Sequence, residues 1–251
     1  MPRILVTNDD GVNSEGIRAL AKALEKLGDV TIVAPVGESS AIGHALTLIR
    51  PLRLEKLADR VFSVDGTPTD CVNIAVTKVL DALPDLVVSG INKGYNLGDD
   101  ITYSGTVAGA LEGALLGIPS LAVSLCRRPT YDFGQATWAA TTLAEAVLKQ
   151  GLPPRTFLNI NVPPVPASGF RITVQAKRNH LTSVSEGTDP RGRRYYWIDE
   201  AEYDWEPHDR SDYQAVKDGY ISVTPLQPDL TNHAALAYVE DLPLSRVPAI
   251  E

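Results

Sequence analysis

Three consecutive segments near the N-terminus constrain the fold most. Residues 3–7 (RILVT) and 30–35 (VTIVAP) are short apolar runs typical of buried strands, and residues 17–28 between them follow an amphipathic helical pattern. The apolar residues on one face of that helix are Ile17, Leu20, Ala21, Leu24 and Leu27. Because nearly continuous apolar strands alternate with a helix, the chain is predicted to form an α/β fold, a mostly parallel sheet with helices on both faces.

The same alternation continues along the chain. Further strands are predicted at 45–49, 61–64, 85–90, 120–125, 156–163 and 170–175, and further helices at 104–117 and 133–149. Thr67, Pro68 and Asp70 have the spacing of a capping box with proline in the first turn, so another helix begins there. The spacing of Gly109, Gly113 and Gly117 favours close packing of the helix at 104–117 against the sheet.

Composition excludes several classes of protein. The net charge of −8 argues against a nucleic-acid polymer or an anionic membrane as partner, since either needs a basic surface. Cys71 and Cys126 form no CxxC pair and the four histidines show no zinc spacing, so both cysteines are interpreted as buried small residues. No uncharged run approaches the roughly 20 residues of a membrane helix. We therefore expect a cytoplasmic enzyme.

Three loops at predicted strand ends are rich in oxygen ligands. They are residues 8–11 (NDDG), 37–40 (GESS) and 90–94 (GINKG). In a doubly wound sheet these loops meet at one edge, where ligands bind. Asp9 and Asp10 repel each other unless a cation lies between them, and oxygen donors without Cys or His favour Mg²⁺ or Mn²⁺. The alternative is that NDDG, Ser39, Ser40 and Asn92 only form turns.

The segment YSGTVAG joins the third loop to the following helix. Ser104, Gly105 and Thr106 would present backbone N–H groups and hydroxyls at a helix N-terminus, which is a favourable place for phosphate. Ordinary N-capping by Ser104 is an equally good interpretation of the segment alone. GxGxxG after the first strand, GxxxxGK[ST] and GxSxG do not occur, which argues against nicotinamide enzymes, P-loop NTPases and serine-triad hydrolases.

Several longer blocks together resemble one known family. ILVTNDDGVNSEGI, SSAIGHALTL, GTPTDC, VVSGINKGYNLGDDITYSGTVAGALEG and GYISVTPL are similar to the stationary-phase survival protein SurE family and extend to about residue 226. The resemblance implies a metal-dependent 5′-nucleotidase acting on nucleoside monophosphates, with some members also using 3′-nucleotides or short polyphosphate. It also implies a Rossmann-like core, here residues 1–165, within a single domain of residues 1–251.

The C-terminal extension, residues 166–251, differs in composition from the core. Five of the nine tyrosines and two of the three tryptophans fall between Tyr195 and Tyr220, among many charges. This suits a β-hairpin or helical arm better than another core unit. The family resemblance implies that such an arm pairs subunits into a homodimer or a homotetramer.

The resemblance also transfers roles to individual residues. It implies one divalent metal ion per subunit, Mg²⁺ or Mn²⁺, held by Asp9, Asp10, Ser40 and Asn92. Counting back from Gly43 and His44 selects Ser40 as the serine ligand, although the sequence alone leaves Ser39 open. Asp9 or Asp10 would also assist proton transfer. The residues expected to contact substrate or its phosphate are Asn96, Ser104, Gly105, Thr106 and His44.

Two other functions are compatible with parts of the sequence. A metal-dependent sensor would bind nucleotides without turning them over, and loop chemistry alone does not exclude it. A scaffold for assembly is suggested only by the aromatic segment from Tyr195 to Tyr220.

Overall fold

A computed structural model describes residues 1–126, 129–179, 183–199 and 204–242. Its strands are β1 (Arg3–Thr7), β2 (Asp29–Pro35), β3 (Leu54–Ala58), β4 (Val61–Val64), β5 (Leu86–Lys93), β6 (Ser120–Leu125), β7 (Phe157–Val162), β8 (Phe170–Ile172), β9 (Arg178–Asn179), β10 (Ser183–Thr188), β11 (Arg194–Asp199), β12 (Asp204–Trp205) and β13 (Ile221–Leu226). Its α-helices are α1 (Glu15–Leu24), α2 (Pro68–Ile74), α3 (Gly105–Leu115), α4 (Gly134–Gln150), α5 (Asp212–Lys217) and α6 (Leu236–Glu240). A π-helical stretch (Ala75–Val79) follows α2, and 3₁₀ turns form at Gly98–Thr102 and His233–Ala235.

The central sheet has nine strands in the order β3-β4-β2-β1-β5-β6-β7-β13-β8. The strands from β4 to β7 in that order are parallel, whereas β3 and β13 run antiparallel to β4 and β7. The prediction of a mostly parallel sheet is confirmed. Because β2 and β5 flank β1 on opposite sides, the strand order reverses at β1, and the carboxyl ends of β1 and β5 border the crevice where such sheets bind ligands.

Helices cover both faces of the sheet, as predicted. Alternate residues of a strand point to opposite faces, and β1 follows this rule. Ile4 and Val6 belong to the apolar cluster that includes α1 and α4, whereas Leu5 packs in a second cluster with Cys71 and Val72 of α2. Helix α3 lies on the same face as α2 and contacts it. The sheet is therefore the middle layer of three.

The helix starts follow their capping signals. Thr67 Oγ1 accepts a hydrogen bond from the N–H of Asp70 at 3.1 Å, and Asp70 Oδ2 accepts one from the N–H of Thr67 at 2.9 Å. The Ser104 hydroxyl accepts from the N–H of Val107 at 3.0 Å. Both predicted helix starts are therefore confirmed, and the second fixes where α3 begins relative to the crevice.

The glycines of α3 have two different roles. A Cβ on Gly109 would lie 2.8 Å from Ser89 Oγ and 2.8 Å from Thr7 Cγ2, and one on Gly113 would lie 3.0 Å from Val87 Cγ2. These two glycines allow the helix to approach the sheet, as predicted. For Gly117 the prediction is wrong, because it has a φ of +79° and no atom lies within 4 Å of its Cβ position. It turns the chain after the helix instead.

The predicted strand at 45–49 is wrong. These residues form no strand, and Ile49 is 99% exposed. The Thr47 N–H and hydroxyl donate to the two carboxylate oxygens of Asp70 at 2.9 and 2.6 Å, so polar contacts with α2 hold this segment. The strand that pairs with β4 at this edge is β3. An apolar sequence pattern was misleading here because the side chains do not enter the core.

The C-terminal part of the chain completes the sheet and adds a hairpin. Strands β13 and β8 extend the sheet beyond β7, while β10 and β11 form a separate antiparallel pair. Tyr196 and Trp197 of β11 are exposed, whereas Trp205 and Tyr213 stack with ring centroids 4.8 Å apart. Parts of the predicted arm, at 180–182, 200–203 and 243–251, lie outside the described residues. Among the described residues, no helix combines the length and apolar character needed to cross a bilayer.

Candidate functional site

Asp9 and Asp10 follow β1 at the edge of the crevice. Asn8 Nδ2 donates to the carbonyl of Gly11 at 3.1 Å and to Ser14 Oγ at 2.8 Å, and Gly11 has a φ of +94° that suits glycine. Residues 8–11 (NDDG) therefore form a turn, which is the alternative to a metal site that the sequence left open. The turn also orients two adjacent carboxylates, so the two interpretations are compatible.

Asp9 is tied to the start of α3. Its side chain is buried, and the Thr106 hydroxyl donates a short hydrogen bond to Asp9 Oδ1. A Cβ on Gly105 would lie 2.7 Å from the Cβ of Asp9, so only glycine permits this approach. The contact joins residues 97 positions apart and brings the first oxygen-rich loop against a helix N-terminus.

Burial, together with a neighbouring negative charge, raises the pKa of both carboxylates. For Asp9 the main cause is burial, partly opposed by the hydrogen bonds from Thr106. For Asp10 burial, followed by the charge of Asp9, raises the pKa to about 6, and the nearby ammonium of Lys93 opposes this shift. Two neighbouring carboxylates are thus held where their negative charges are unfavourable, and a bound cation would relieve that cost.

The oxygen atoms at this position suit a hard cation. Within the described part of the chain, the buried atoms Asp10 Oδ2 and Asn8 Oδ1 accept no hydrogen bond. The described residues also contain no group of three or more His, Cys, Asp or Glu side chains arranged to hold a metal. A divalent cation would therefore need neutral oxygens from Ser or Asn in addition to the two carboxylates, which is chemistry that Mg²⁺ and Mn²⁺ accept.

The loop after β2 reaches β1 through its backbone. The N–H of Ser39 donates to the carbonyl oxygen of Asp9 at 2.8 Å. The neighbouring Ser40 is exposed, and its hydroxyl donates to Glu38 Oε1 at 2.7 Å. The structure thus brings this loop beside the aspartates, and the choice between the two serine hydroxyls as ligand stays a prediction.

Asn92 and Lys93 end β5 on the other side of the crevice. Asn92 Nδ2 donates to the carbonyl of Gly94 at 3.0 Å, so the amide nitrogen is engaged and the amide oxygen is the atom suited to a cation. Lys93 Nζ lies 3.5 Å from Glu15 Oε2 and 5.1 Å from the centre of the Tyr131 ring. Lys93, which looks like an ordinary solvated charge in the sequence, is a cationic group that acts on Asp10.

Asn96 anchors the loop after β5 to the sheet. Its backbone N–H donates to Asn161 Oδ1 at 2.9 Å, and its Nδ2 donates to Ser124 Oγ at 2.7 Å. Its carbonyl oxygen accepts from the side chains of Asn159 and Asn161 at 2.8 and 3.0 Å. These buried contacts fix the loop on β6 and β7, and a contact of Asn96 with the substrate phosphate stays a prediction.

The C-terminal part of the chain holds the next few residues of the same loop. The buried Asp212 carboxylate accepts from the N–H groups of Gly98 and Ala176, each at 3.0 Å. The ring of Trp205 covers Gly98 so closely that a Cβ there would overlap it. Sequence reasoning missed Asp212, because an aspartate after the helix N-cap Ser211 looks like an ordinary helix start.

His44 contacts α3 instead of the aspartates. Its Nε2 lies 2.7 Å from Glu112 Oε2, and Asn73 Nδ2 donates to Glu112 Oε1 at 2.7 Å. Although burial raises the pKa of Glu112, the hydrogen bonds from His44 and Asn73 outweigh burial and hold that pKa below its ordinary value. Glu112 and Asn73 were not selected from the sequence. The signal that could have indicated Glu112 is the presence of a glutamate on the face of α3 that carries small residues.

Comparisons with known proteins agree with this architecture. The family model described as "Survival protein SurE" matches residues 4–182. The chain is 52% identical over 240 residues to the "5′-nucleotidase SurE" of Pelobacter propionicus, covering 94% of this chain and 97% of that protein. It is 55% identical to the protein of the same name from Syntrophotalea carbinolica, covering 91% and 92%. The crystal structure of the SurE protein from Aquifex aeolicus superposes with a TM-score of 0.85 at 44% identity, covering 96% and 100%.

Proposed function

This chain belongs to the SurE family, and from that premise we propose that it is a 5′-nucleotidase, which hydrolyses nucleoside monophosphates to nucleoside and phosphate with the help of a divalent metal ion. The observation that carries the proposal is the buried contact of Asp9 with Thr106 at the strand-order reversal, since it joins an acidic pair to a helix N-terminus. Relatives about half identical over nearly the whole chain bear the name of this activity.

We assign the metal to Asp9, Asp10, Asn92 and a serine of the loop after β2, with Ser40 preferred over Ser39. The buried carboxylate of Asp9 and the half-buried one of Asp10, whose Oδ2 accepts no hydrogen bond among the described residues, support this assignment. Mg²⁺ or Mn²⁺ fits the all-oxygen donor set. When bound, such an ion polarises the phosphoryl group and lowers the pKa of water.

The remaining steps fall to groups of the protein. Ser104, Gly105 and Thr106 begin α3, whose N-terminal partial charge favours phosphate oxygens near Asp9. Thr106 orients Asp9 by its hydrogen bond, which leaves Asp10 as our candidate to accept the proton of the attacking water. Asn96 and His44 remain our candidates to contact the substrate. Asn96 also fixes the loop after β5 on β6, and His44 connects the loop after β2 to Glu112 of α3.

The sensor without turnover finds no support in the comparisons. Activity toward 3′-nucleotides or polyphosphate, a cytoplasmic location, and assembly into a homodimer or homotetramer remain parts of the proposal. The exposed aromatic residues of β11 support the idea that the β10–β11 hairpin pairs subunits. Light scattering of a variant without residues 183–199 should show a lower mass; an unchanged mass would contradict it.

One assay tests the proposed activity. Phosphate release is measured from AMP, 3′-AMP and tripolyphosphate with Mg²⁺, with Mn²⁺ and with EDTA. We expect AMP to be hydrolysed with at least one of the metals and EDTA to stop the reaction. Saturable binding of AMP without released phosphate would instead support a sensor, and full activity in excess EDTA would exclude the metal.

A further inference from the structure

A cavity of about 220 Å³ opens at the carboxyl ends of β6 and β7. Leu125 and Val162, the last residues of these strands, line it together with Tyr131, Asp132 and residues 163–166. It lies at the same edge of the sheet as Asp9 and Asp10. No role in the site described above uses this cavity.

The cavity is lined by apolar side chains together with the polar groups of Asp132 and Gln135, and its walls are held in place. Three of the residues at 163–166 are prolines, which restrict the backbone. Gln135 of α4 fixes the same segment, because its Nε2 donates to the carbonyl of Val165 at 3.1 Å and its Oε1 accepts from the N–H of Ala167 at 2.7 Å. The cavity is therefore formed before any ligand arrives, as is usual for small-molecule sites.

The distance to the aspartates matches the length of a nucleotide. Strand β1 carries Asp10, and β5 and β6 follow it in the sheet before β7. With neighbouring strands about 4.8 Å apart, the cavity between β6 and β7 lies about 12 Å from the end of β1. Lys93, at the end of β5, lies between the two places. The charge of its ammonium lowers the pKa of Asp10, and its Nζ lies 5.1 Å from the centre of the Tyr131 ring at the cavity.

The volume and lining suit a flat organic group. A water molecule takes up about 30 Å³ of liquid, so the cavity has room for about seven waters, comparable with a nucleobase. A larger cavity of about 320 Å³ lies at the opposite edge, where Arg3 and Asp29 begin their strands. A substrate whose phosphate is at Asp9 and Asp10 cannot reach that second cavity.

We propose that the cavity at the ends of β6 and β7 binds the base of the nucleoside monophosphate, with Tyr131 and the proline-rich segment as its walls. This inference rests on the proposed function and adds the place where the nucleoside part is recognised. Lys93 lies along the path between base and phosphate, where a cation favours an anionic substrate.

The test fills the cavity and compares substrates with and without a base. Val165 lines the cavity and is 50% exposed, so Val165→Trp adds bulk at its mouth. We expect kcat/KM for AMP to fall about tenfold or more while kcat/KM for ribose 5-phosphate stays within about twofold. The matched control is Leu83→Trp, a 54% exposed residue before β5 at the opposite edge, which should change neither value.

A second measurement uses the unmodified protein. Adenosine should inhibit hydrolysis of ribose 5-phosphate competitively, and Val165→Trp should abolish this inhibition. Three results would each overturn the base site. They are equal losses of kcat/KM for both substrates in Val165→Trp, unchanged AMP hydrolysis in Val165→Trp, and no inhibition of the unmodified protein by adenosine. If the unmodified protein releases phosphate from neither substrate, the proposed function fails. Calorimetric binding of adenosine, present in the unmodified protein and lost in Val165→Trp, still tests the base site separately.

Discussion

Two parts of the same sheet edge are constructed in different ways. Around β1, β5 and α3 the functional side chains are buried or half-buried, with Asp9 only 5% and Thr106 0% exposed. The loop after β2 and the segment up to Ile49 lie on the surface. Buried polar contacts fix the first part, so a small change there disturbs both stability and chemistry. In the second part a substitution is expected to have smaller effects.

The exposed part is nevertheless attached at defined points. The Ser39 N–H reaches the carbonyl of Asp9, the Gly43 N–H donates to the carbonyl of Tyr103 at 2.9 Å, and His44 reaches Glu112. These contacts link the loop to β1, to the loop before α3 and to α3 itself. Burial therefore secures one side of the site and individual hydrogen bonds secure the other.

The largest effect is expected for Asp9→Asn. The substitution removes the buried charge of the acidic pair, while the Asn oxygen still accepts the hydrogen bond from Thr106. Phosphate release from AMP should fall roughly a thousandfold, since the metal contributes several kcal/mol to transition-state stabilisation. The melting temperature should not decrease, because repulsion with Asp10 is removed. Asp81→Asn on an exposed loop is the control, and near-normal turnover by Asp9→Asn would contradict the proposed site.

Gly105→Ala compares the two parts directly. The added Cβ would lie 2.7 Å from the Cβ of Asp9, so the start of α3 has to shift. We expect a loss of about 1–3 kcal/mol in unfolding free energy and roughly a hundredfold loss of activity. At Gly37, in the loop after β2, a Cβ meets no atom within 4 Å. Gly37→Ala should change the free energy of unfolding and the activity little. Urea unfolding and AMP hydrolysis measure these quantities, and similar losses in the two variants would contradict the difference between the two parts of the site.

A smaller effect on activity is expected for Asp212→Asn. The carboxylate accepts N–H groups of Gly98, Ala176 and Tyr213, and an amide nitrogen cannot accept one of them. The free energy of unfolding should decrease by about 1–3 kcal/mol. Because the loop before α3 loosens, kcat should fall about tenfold. The exposed Asp209→Asn serves as control. Reduced stability with unchanged kcat would limit Asp212 to a structural role.

The smallest effect is expected for His44→Ala, and it depends on pH. In the folded protein the pKa of Glu112 lies below its ordinary value of 4.5. The ionised carboxylate therefore stabilises the fold fully above about pH 4.5, and this contribution is lost as the pH falls through the lowered pKa. Removing His44 brings the pKa back toward 4.5. The melting temperature of His44→Ala should then fall less between about pH 7 and pH 3 than that of the unmodified protein. An equal fall in both would show that His44 does not stabilise the carboxylate.

The sequence predicted those features that depend on local patterns. Strand β1, helix α1 and the capping box at Thr67 follow from apolar periodicity and short-range hydrogen bonds, so neighbouring residues suffice to predict them. The family resemblance supplied the roles of the site residues. The contacts that place those residues were not predictable, because the His44 to Glu112 and Gly98 to Asp212 pairs join positions 68 and 114 apart.

The error at 45–49 has the same origin. Its residues ALTLI have a strand-like composition, but Asp70 of α2 binds Thr47 and keeps the segment on the surface. A pattern of apolar residues reports which structures are possible. Contacts from distant parts of the chain then decide between them.

The hydrogen bond from Gly98 to Asp212 has a consequence for synthesis of the protein. The acidic pair leaves the ribosome roughly 200 residues before Asp212 does. Domains fold as the chain lengthens, starting from the N-terminus. A nascent chain that ends before Asp212 therefore has the parallel strands but lacks the group that fastens the loop before α3. Products of premature termination are then expected to be poor catalysts even where they remain folded.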